Sequence, residues 1–239
     1  MHELDDSMKV SVIVPALNEE KYIGYLFKGL KEQSFKDFEV IVADGGSTDR
    51  TREIAKKNGA KVVVEKRRGI ARGRNAGAKA AKGELLVFID ADTMPTKDLL
   101  KAYVENVKGD VVAATGPILP LERTNKRTEL GYKFVSIFFV KLAIKIGRPS
   151  IVGSNFAVKR EAFEKAGRFN DNLITYEDWD LSKRLKKLGR IKYVDEAIVR
   201  TSARRIFAWG IFGFFKFHVG NIFRYNLLKK PKEEYEPIR

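Results

Sequence analysis

The first half of the chain alternates between short apolar segments and longer segments with helical periodicity. The apolar segments are VSVIVP, FEVIVAD, KVVVEK and ELLVFIDAD. In the first intervening segment, residues 19–33, the apolar residues at helical spacing are Tyr22, Ile23, Leu26, Phe27 and Leu30. Strands that alternate with helices of this length predict an α/β fold, with a mainly parallel sheet and helices on both faces.

Polar residues follow three of these predicted strands. PALNEE follows the first strand, Asp44 ends the second, and Asp90 and Asp92 follow the fourth. Ligands of parallel sheets bind at the carboxyl ends of the strands. We therefore expect these side chains to meet at one functional edge of the sheet.

Asp90 and Asp92 stand two residues apart after the apolar run Leu85 to Ile89. Residues i and i+2 of an extended backbone point to the same side, so the two carboxylates can converge. Two close negative charges repel unless a cation lies between them. The pair therefore predicts a site for Mg²⁺ or Mn²⁺ together with substrate phosphates, with a turn or helix cap as the structural alternative.

Composition narrows the class of protein and its partners. At 239 residues and 44% hydrophobic content, the chain can form one large domain. The absence of cysteine excludes disulfides and thiolate metal sites, and two histidines disfavour a zinc site. The polar start MHELDDSMK lacks the layout of a signal peptide, so we expect a cytoplasmic protein. Abundant Lys and Glu with few Met resemble thermophile usage.

The net charge of +15 favours an anionic partner, whether nucleotide phosphate, nucleic acid or an acidic membrane surface. Residues 200–232 hold eight Lys or Arg and no acid, interleaved with aromatic residues. This tail predicts an interfacial helix, which with the apolar run Phe134 to Ile146 could dock on the cytoplasmic face of a membrane. Packing on the sheet, or a dimer interface, is the alternative for both segments.

Five motifs occur in order along the chain: VSVIVPALNEEKYI, VIVADGGSTDRT, ARGRNAGAKAAKGELLVFIDAD, GSNFAVKREAFEKAGRFN and YEDWDLSKRL. Together they resemble the family 2 glycosyltransferases over residues 10–202. The resemblance implies a GT-A (Rossmann-like) fold and inverting transfer of a sugar from a UDP- or GDP-linked donor. The acceptor would offer a hydroxyl or a phosphate, on a glycan or on a lipid-linked molecule; the lipid link is indicated by the basic, aromatic tail alone and not by the resemblance.

The resemblance also implies a domain organisation. Residues 1–203 would form the GT-A catalytic domain, and residues 204–239 a basic, aromatic helical tail. Within the catalytic domain, a nucleotide-binding half would cover about residues 8–116 and an acceptor half about residues 117–203.

On the donor side, the resemblance assigns nucleoside contacts to Pro15, Leu17, Glu19 and Asp44, with Asp44 bonding to the base. Asp90, Ala91 and Asp92 would form the DxD element, in which Asp92 is a direct ligand of Mn²⁺ or Mg²⁺ and Asp90 contacts ribose or acts through water. The structural alternative for Asp44 is a turn residue before two glycines.

Further residues follow from the same resemblance. The acceptor-side base matches Asp178, although the acids there could simply decorate a helix N-terminus. The segment near the donor sugar matches Gly153, Ser154 and Asn155. Arg204 or Arg205 could bind the diphosphate or form a solvated basic face, and Arg72 or Arg74 could approach the nucleotide. The rival functions are a basic nucleic-acid-binding protein and a membrane scaffold without transferase activity.

Overall fold

The computed structural model describes residues 9–67, 69–124, 126–148, 151–210 and 213. The strands are β1 (Val10–Ala16), β2 (Phe38–Asp44), β3 (Lys61–Val64), β4 (Leu85–Ile89), β5 (Thr93–Pro95), β6 (Val111–Thr115), β7 (Ile118–Pro120), β8 (Asn155–Lys159), β9 (Arg190–Tyr193) and β10 (Val199–Thr201). The α-helices are α1 (Ile23–Lys31), α2 (Thr51–Lys57), α3 (Ile70–Ala80), α4 (Leu99–Asn106), α5 (Lys126–Lys133), α6 (Val140–Lys145), α7 (Arg160–Lys165) and α8 (Glu177–Leu185). A π-helix, Phe134–Phe139, joins α5 to α6.

Within the described residues, seven strands form the central sheet in the order β3-β2-β1-β4-β8-β6-β9. Every neighbouring pair is parallel except those of β8, which runs antiparallel to β4 and to β6. The predicted mainly parallel sheet is therefore confirmed. Because β8 belongs to the second half of the chain and pairs with β4 of the first, the two predicted halves share one sheet.

The central sheet is covered on both faces, as the alternating sequence predicted. Val12 and Val14 of β1 pack in one core cluster with α1 and α4, while Ile13 between them packs in a second cluster with α3 and α8. Successive strand residues point to opposite faces, so each strand contributes to both clusters. All of β4 is buried, which explains why its sequence is continuously apolar.

A second, three-stranded sheet in the described region, ordered β5-β10-β7, was not predicted. β10 pairs antiparallel with β5 and parallel with β7. Its strands have only three residues each, too few for a periodic pattern to be visible in the sequence. The pairing brings Thr93 beside Thr201, so the chain after β10 lies next to the Asp90–Asp92 segment.

The apolar run Phe134 to Ile146 forms the π-helix and α6. None of the helices in the described ranges has the length and apolar character needed to span a bilayer. The chain is helical again over residues 204–210. Residues 214–239, which hold most of the predicted interfacial tail, lie outside the described residues, so that prediction stays a prediction.

Candidate active site

The loops that follow β1 and β2 are bound to each other at the carboxyl edge of the sheet. The Asn18 backbone N–H donates to Ser47 Oγ at 2.9 Å, and the Glu20 N–H donates to Asp49 Oδ2 at 3.1 Å. Asn18 adopts a left-handed conformation, with φ of 54°, which asparagine tolerates well. The polar residues of the first two motifs thus join the two loops into one wall at the carboxyl edge of the sheet.

Asp44 lies at the end of β2 and is fully buried. Its Oδ1 accepts hydrogen bonds from the backbone N–H groups of Gly46 at 3.0 Å and Ser47 at 2.9 Å, and Arg52 Nε stands 3.6 Å away. Its Oδ2 is buried and has no hydrogen-bond partner. A buried carboxylate oxygen without a donor is costly, so a ligand N–H that reached Oδ2 after a small movement of its surroundings would be bound favourably.

Leu17 and Pro15 lie on the same wall. Leu17 is exposed and its side chain is 3.5 Å from the position that a Cβ on Gly45 would take, so the β1 and β2 ends are closely packed. Pro15 is half-buried. Both residues are therefore at the rim where the nucleoside was predicted.

Asp90 and Asp92 follow β4, with Ala91 buried between them. Asp90 Oδ1 accepts a hydrogen bond from Arg74 Nη2 at 2.9 Å. Asp92 Oδ2 lies 3.0 Å from Arg204 Nη2. Burial and the nearby charge of Asp90 raise the pKa of Asp92 to about 6, although Arg204 opposes the shift. The two carboxylates are thus close enough to influence each other.

Arg204 links the start of the 204–210 helical segment to the strand-end carboxylates. It donates to Glu19 from two nitrogens, at 2.9 and 2.6 Å, in addition to its contact with Asp92. Its guanidinium carbon lies 4.9 Å from the centre of the Tyr22 ring. Neighbouring Arg205 is close enough for its charge to act on Asp92, and burial lowers the pKa of Arg205. Arg204, the first residue of the predicted tail and a predicted diphosphate contact, therefore lies against the strand-end carboxylates.

Arg74 is the centre of the acidic cluster, although sequence reasoning offered it only as an alternative to Arg72. Its side chain is 2% exposed and lies between Asp90, at 2.9 Å, and Glu177, at 2.5 Å. Burial by itself would lower the pKa of Arg74, but Asp90, Glu177 and Asp178 raise it. Arg72 instead lines a polar cleft on the outer side of α3, where its Nε lies 3.4 Å from the Asp171 carbonyl.

Asp178, the predicted base, sits in the first turn of α8. Its Oδ2 accepts a hydrogen bond from the Gly153 N–H at 3.0 Å, and its Oδ1 accepts one from the Trp179 N–H at 2.7 Å. Burial raises the pKa of Asp178, while Arg74 and these two backbone donors oppose the shift. Burial and the charge of Asp178 also raise the pKa of Glu177.

The residue before α8 is strained. Tyr176 occupies the N-cap position with φ of 67°, a left-handed conformation that bulky residues rarely adopt. Its ring makes an edge contact with Trp179, and Lys183 Nζ lies 3.9 Å from the centre of the Trp179 ring. Such strain tends to occur where function fixes the backbone, and here it immediately precedes Glu177 and Asp178.

The predicted sugar-binding segment has two different parts. A Cβ on Gly153 would lie 2.7 Å from Arg74 Nη2, so any larger residue there would have to displace the buried guanidinium. Ser154 is half-buried. The Asn155 amide is buried in the core, where it donates to the carbonyls of Pro117 and Ala197 and accepts from the Tyr103 hydroxyl. The Asn155 side chain therefore supports the fold rather than facing the cleft.

The carboxylates fit a divalent ion that is also bound by substrate. Among the described residues, no three His, Cys, Asp or Glu side chains are grouped to hold a metal. Mg²⁺ sites built from one or two carboxylates plus substrate phosphates need no third side chain. Asp90 and Asp92 supply hard oxygen donors. Burial and the charge of Asp90 raise the pKa of Asp92, and a bound cation would favour the ionised carboxylate again.

Comparison with known sequences places the chain in a family. The profile of Glycosyl transferase family 2 matches residues 11–167. The poly(ribitol-phosphate) beta-N-acetylglucosaminyltransferase TarS of Staphylococcus aureus (strain Mu50) is 38% identical over 116 residues, which are 44% of this chain and 20% of TarS. Glycosyltransferase AglE of Haloferax volcanii is 27% identical over 189 residues, 75% of this chain and 62% of AglE. The chain thus spans less than two thirds of either relative.

Solved structures share the fold. The mannosyltransferase PcManGT from Pyrobaculum calidifontis, in complex with GDP-Man and Mn²⁺, aligns with a TM-score of 0.67 and 24% identity over 90% of this chain and 66% of that one. S. aureus TarS 1-349 in complex with UDP aligns with a TM-score of 0.64 and 24% identity over 85% of this chain and 63% of that one. The predicted GT-A fold is therefore confirmed.

Proposed function

The chain belongs to glycosyl transferase family 2, and we propose that it is an inverting glycosyltransferase acting on a nucleoside-diphosphate sugar. The observation that carries the proposal is the convergence of Asp90 and Glu177 on the buried Arg74, directly beside Asp178. The Arg74 guanidinium thereby connects Asp90, which is suited to binding the donor, with α8, the helix that carries the proposed base.

The nucleoside subsite is assigned to the wall formed by the ends of β1 and β2. Asp44 holds a buried, unpartnered carboxylate oxygen that can accept an N–H from a uracil or guanine edge. Structural relatives were solved with UDP and with GDP-Man, so both donor classes are candidates. Pro15 and Leu17 would line this subsite, and Ser154 the donor sugar.

Asp90 and Asp92 would hold Mn²⁺ or Mg²⁺ against the diphosphate. When bound, the ion offsets the negative charge that develops on the departing nucleoside diphosphate. Arg204 at present pairs with Asp92 and Glu19, and it would then be released toward phosphate oxygens, for which a planar guanidinium is well suited. Arg205 is a further candidate for contacts with the nucleotide, whereas Arg72 lies on the outer side of α3.

Asp178 would act as the general base. Its carboxylate takes the proton of the acceptor hydroxyl while that oxygen bonds to the anomeric carbon and the nucleoside diphosphate leaves from the opposite face. The raised pKa of Asp178 makes it a stronger base than an exposed aspartate. An acceptor phosphate, already ionised, would need no such proton transfer. The acceptor belongs to a glycan or to a lipid-linked saccharide.

The first test is thermal unfolding with UDP, GDP, CDP and dTDP, each with and without Mn²⁺. A nucleotide at a hundred times its dissociation constant should add about 2.7 kcal/mol to the free energy of unfolding. We expect one nucleotide to stabilise the protein, to need the metal, and to lose its effect in Asp92→Ala. If none of the nucleotides raised the free energy of unfolding, with or without Mn²⁺, the proposed donor site would be contradicted.

The second test separates binding from chemistry. Asp178→Asn should keep the metal-dependent nucleotide shift but lower turnover by about 10²- to 10⁴-fold, the usual contribution of a general base. Asp180→Asn is the matched control, because Asp180 lies on the same helix but pairs with Arg184. Turnover of Asp178→Asn comparable to that of Asp180→Asn would remove Asp178 from the mechanism.

A further inference from the structure

An exposed apolar stripe runs along the helices that follow β7. Its members occur at every fourth position from residue 130 to residue 146 and are between 41% and 68% exposed; they are Leu130, Phe134, Phe138, Leu142 and Ile146. Phe139, next to Phe138, is also exposed and widens the stripe near its middle. Large apolar side chains normally drive burial, so five aligned exposed members indicate a surface that binds something.

The π-helix keeps this apolar stripe straight. In an α-helix, a spacing of four residues overshoots a full turn by about 40°, so side chains at that spacing drift around the axis. A π-helical turn contains more residues and drifts the other way. Because Phe134–Phe139 is π-helical and lies between two α-helices, the drifts oppose each other. The stripe therefore stays on one side over its length.

Positive charge accompanies the apolar stripe. Residues 126–148 contain six Lys or Arg and one acid, Glu129. Lys133, Lys141 and Lys145 are exposed, although Lys133 also pairs with Glu129 at 2.8 Å and Lys141 with Asp195 at 2.5 Å. Lysine side chains can lay their apolar stems along the stripe while their charged ends reach an anionic surface. An apolar face flanked by cations is the pattern of a helix that lies in the plane of a membrane interface.

We propose that the apolar stripe docks this protein on an anionic lipid bilayer surface. A second copy of the chain is a poorer occupant, because pairing two such surfaces would bring their cations together. Glu122 lies four residues before α5, and its carboxylate accepts hydrogen bonds from the Ser202 hydroxyl and the Ala203 N–H. The 204–210 segment therefore begins beside the start of α5. Docking there would bring the edge that carries Arg204 toward the lipid surface. The docking itself does not depend on the proposed function. Only the further step, that the acceptor is linked to a lipid in the same membrane, rests on that function.

The test is co-sedimentation of the full chain with vesicles of phosphatidylcholine, alone or mixed with phosphatidylglycerol. We expect binding that requires the anionic lipid and weakens with added salt. The variant Phe134→Ser/Phe138→Ser/Leu142→Ser should bind at least about tenfold more weakly. The control, Val64→Ser/Leu188→Ser, removes apolar residues that are also exposed but lie outside the stripe, and should bind as the unmodified chain does.

Circular dichroism and thermal unfolding of each variant establish that it is folded, and the assay uses no nucleotide, so its outcome is independent of transferase activity. Unchanged vesicle binding by the stripe variant would overturn the proposal and assign the binding elsewhere. Failure of the unmodified chain to bind anionic vesicles would overturn it too. Light scattering gives the outcome for a second copy of the chain. If the unmodified chain is a dimer that does not bind vesicles, and the stripe variant is a monomer, the stripe is a dimer interface.

Discussion

At the scale of single residues, the acidic cluster depends on a glycine. Gly153 lies against the Arg74 guanidinium, and its N–H holds Asp178. Gly153→Ala would insert a methyl group 2.7 Å from Arg74 Nη2, and Arg74 is buried and cannot move aside into solvent. We expect a loss of about 1–3 kcal/mol in the free energy of unfolding, measured by urea denaturation, together with reduced turnover.

Gly24→Ala is the matched control for that substitution. Gly24 lies in α1, and a Cβ there would meet nothing within 4 Å. Alanine favours a helix over glycine, so this variant should gain up to about 1 kcal/mol. If Gly153→Ala proved as stable as Gly24→Ala, the tight packing around Arg74 would be disproved.

Asp92 gives the site a dependence on pH. Its folded-state pKa is raised to about 6, above the ordinary value of 3.8, so its ionised form is disfavoured by the fold. A metal needs the ionised carboxylate. We expect Mn²⁺-dependent nucleotide affinity, measured by calorimetry, to be constant above this pKa and to fall as pH drops through 6, approaching about tenfold per pH unit.

The raised pKa of Asp92 also makes the stability of the folded protein depend on pH. Because the folded pKa exceeds the unfolded one, the contribution of Asp92 to stability is full below the unfolded pKa and is lost as pH rises through about 6. Asp92→Asn should remove this pH dependence of stability, and with the metal ligand gone it should also remove the Mn²⁺-dependent affinity itself. A change in stability near pH 6 that persists in Asp92→Asn would assign it to another group.

At the scale of elements, one buried arginine joins helix α3 to helix α8. Arg74→Met would leave Glu177 buried without its cation, and we expect a cost of about 3–5 kcal/mol in the free energy of unfolding. Adding Glu177→Gln removes the most buried of the carboxylates that lose their cation, so the double variant should be more stable than the sum of the single effects predicts. Urea denaturation of the four proteins gives the coupling energy.

The exposed pair Lys165 and Glu161 on α7 is the control for this cycle. Solvent screens such a pair, so Lys165→Met and Glu161→Gln should show little coupling. Coupling between Arg74 and Glu177 no larger than this control would mean that α3 and α8 are held together by packing alone.

At the scale of the whole molecule, the net charge of +15 acts against compactness. Salt shortens the range of this repulsion, so the Tm measured by calorimetry at neutral pH should rise by a few degrees as NaCl is added. Near the isoelectric point of about 9.8 the rise should vanish. A Tm that falls with salt at neutral pH would mean that local ion pairs outweigh the overall repulsion.

The spacing of residues in α3 indicates which of its arginines faces the sheet. Ala71, Arg74 and Ala78 occupy one face of α3 and are all buried, so helical periodicity places position 74 toward the sheet and position 72 elsewhere. Glu177 was overlooked for a different reason. Acids in the first turn of a helix are common, and only contact with a distant arginine distinguishes this one.

The alternation of strands and helices, and the edge of the sheet that carries Asp44, Asp90 and Asp92, can be predicted from the amino-acid sequence. Both follow from local periodicity and from the geometry of parallel strands, which need no knowledge of distant partners. The contact between Arg204 and Glu19, which are 185 residues apart in sequence, could not be predicted in this way. Such ion pairs depend on which chain segments the sheets bring together, and short strands such as β5 and β10 leave no periodic trace.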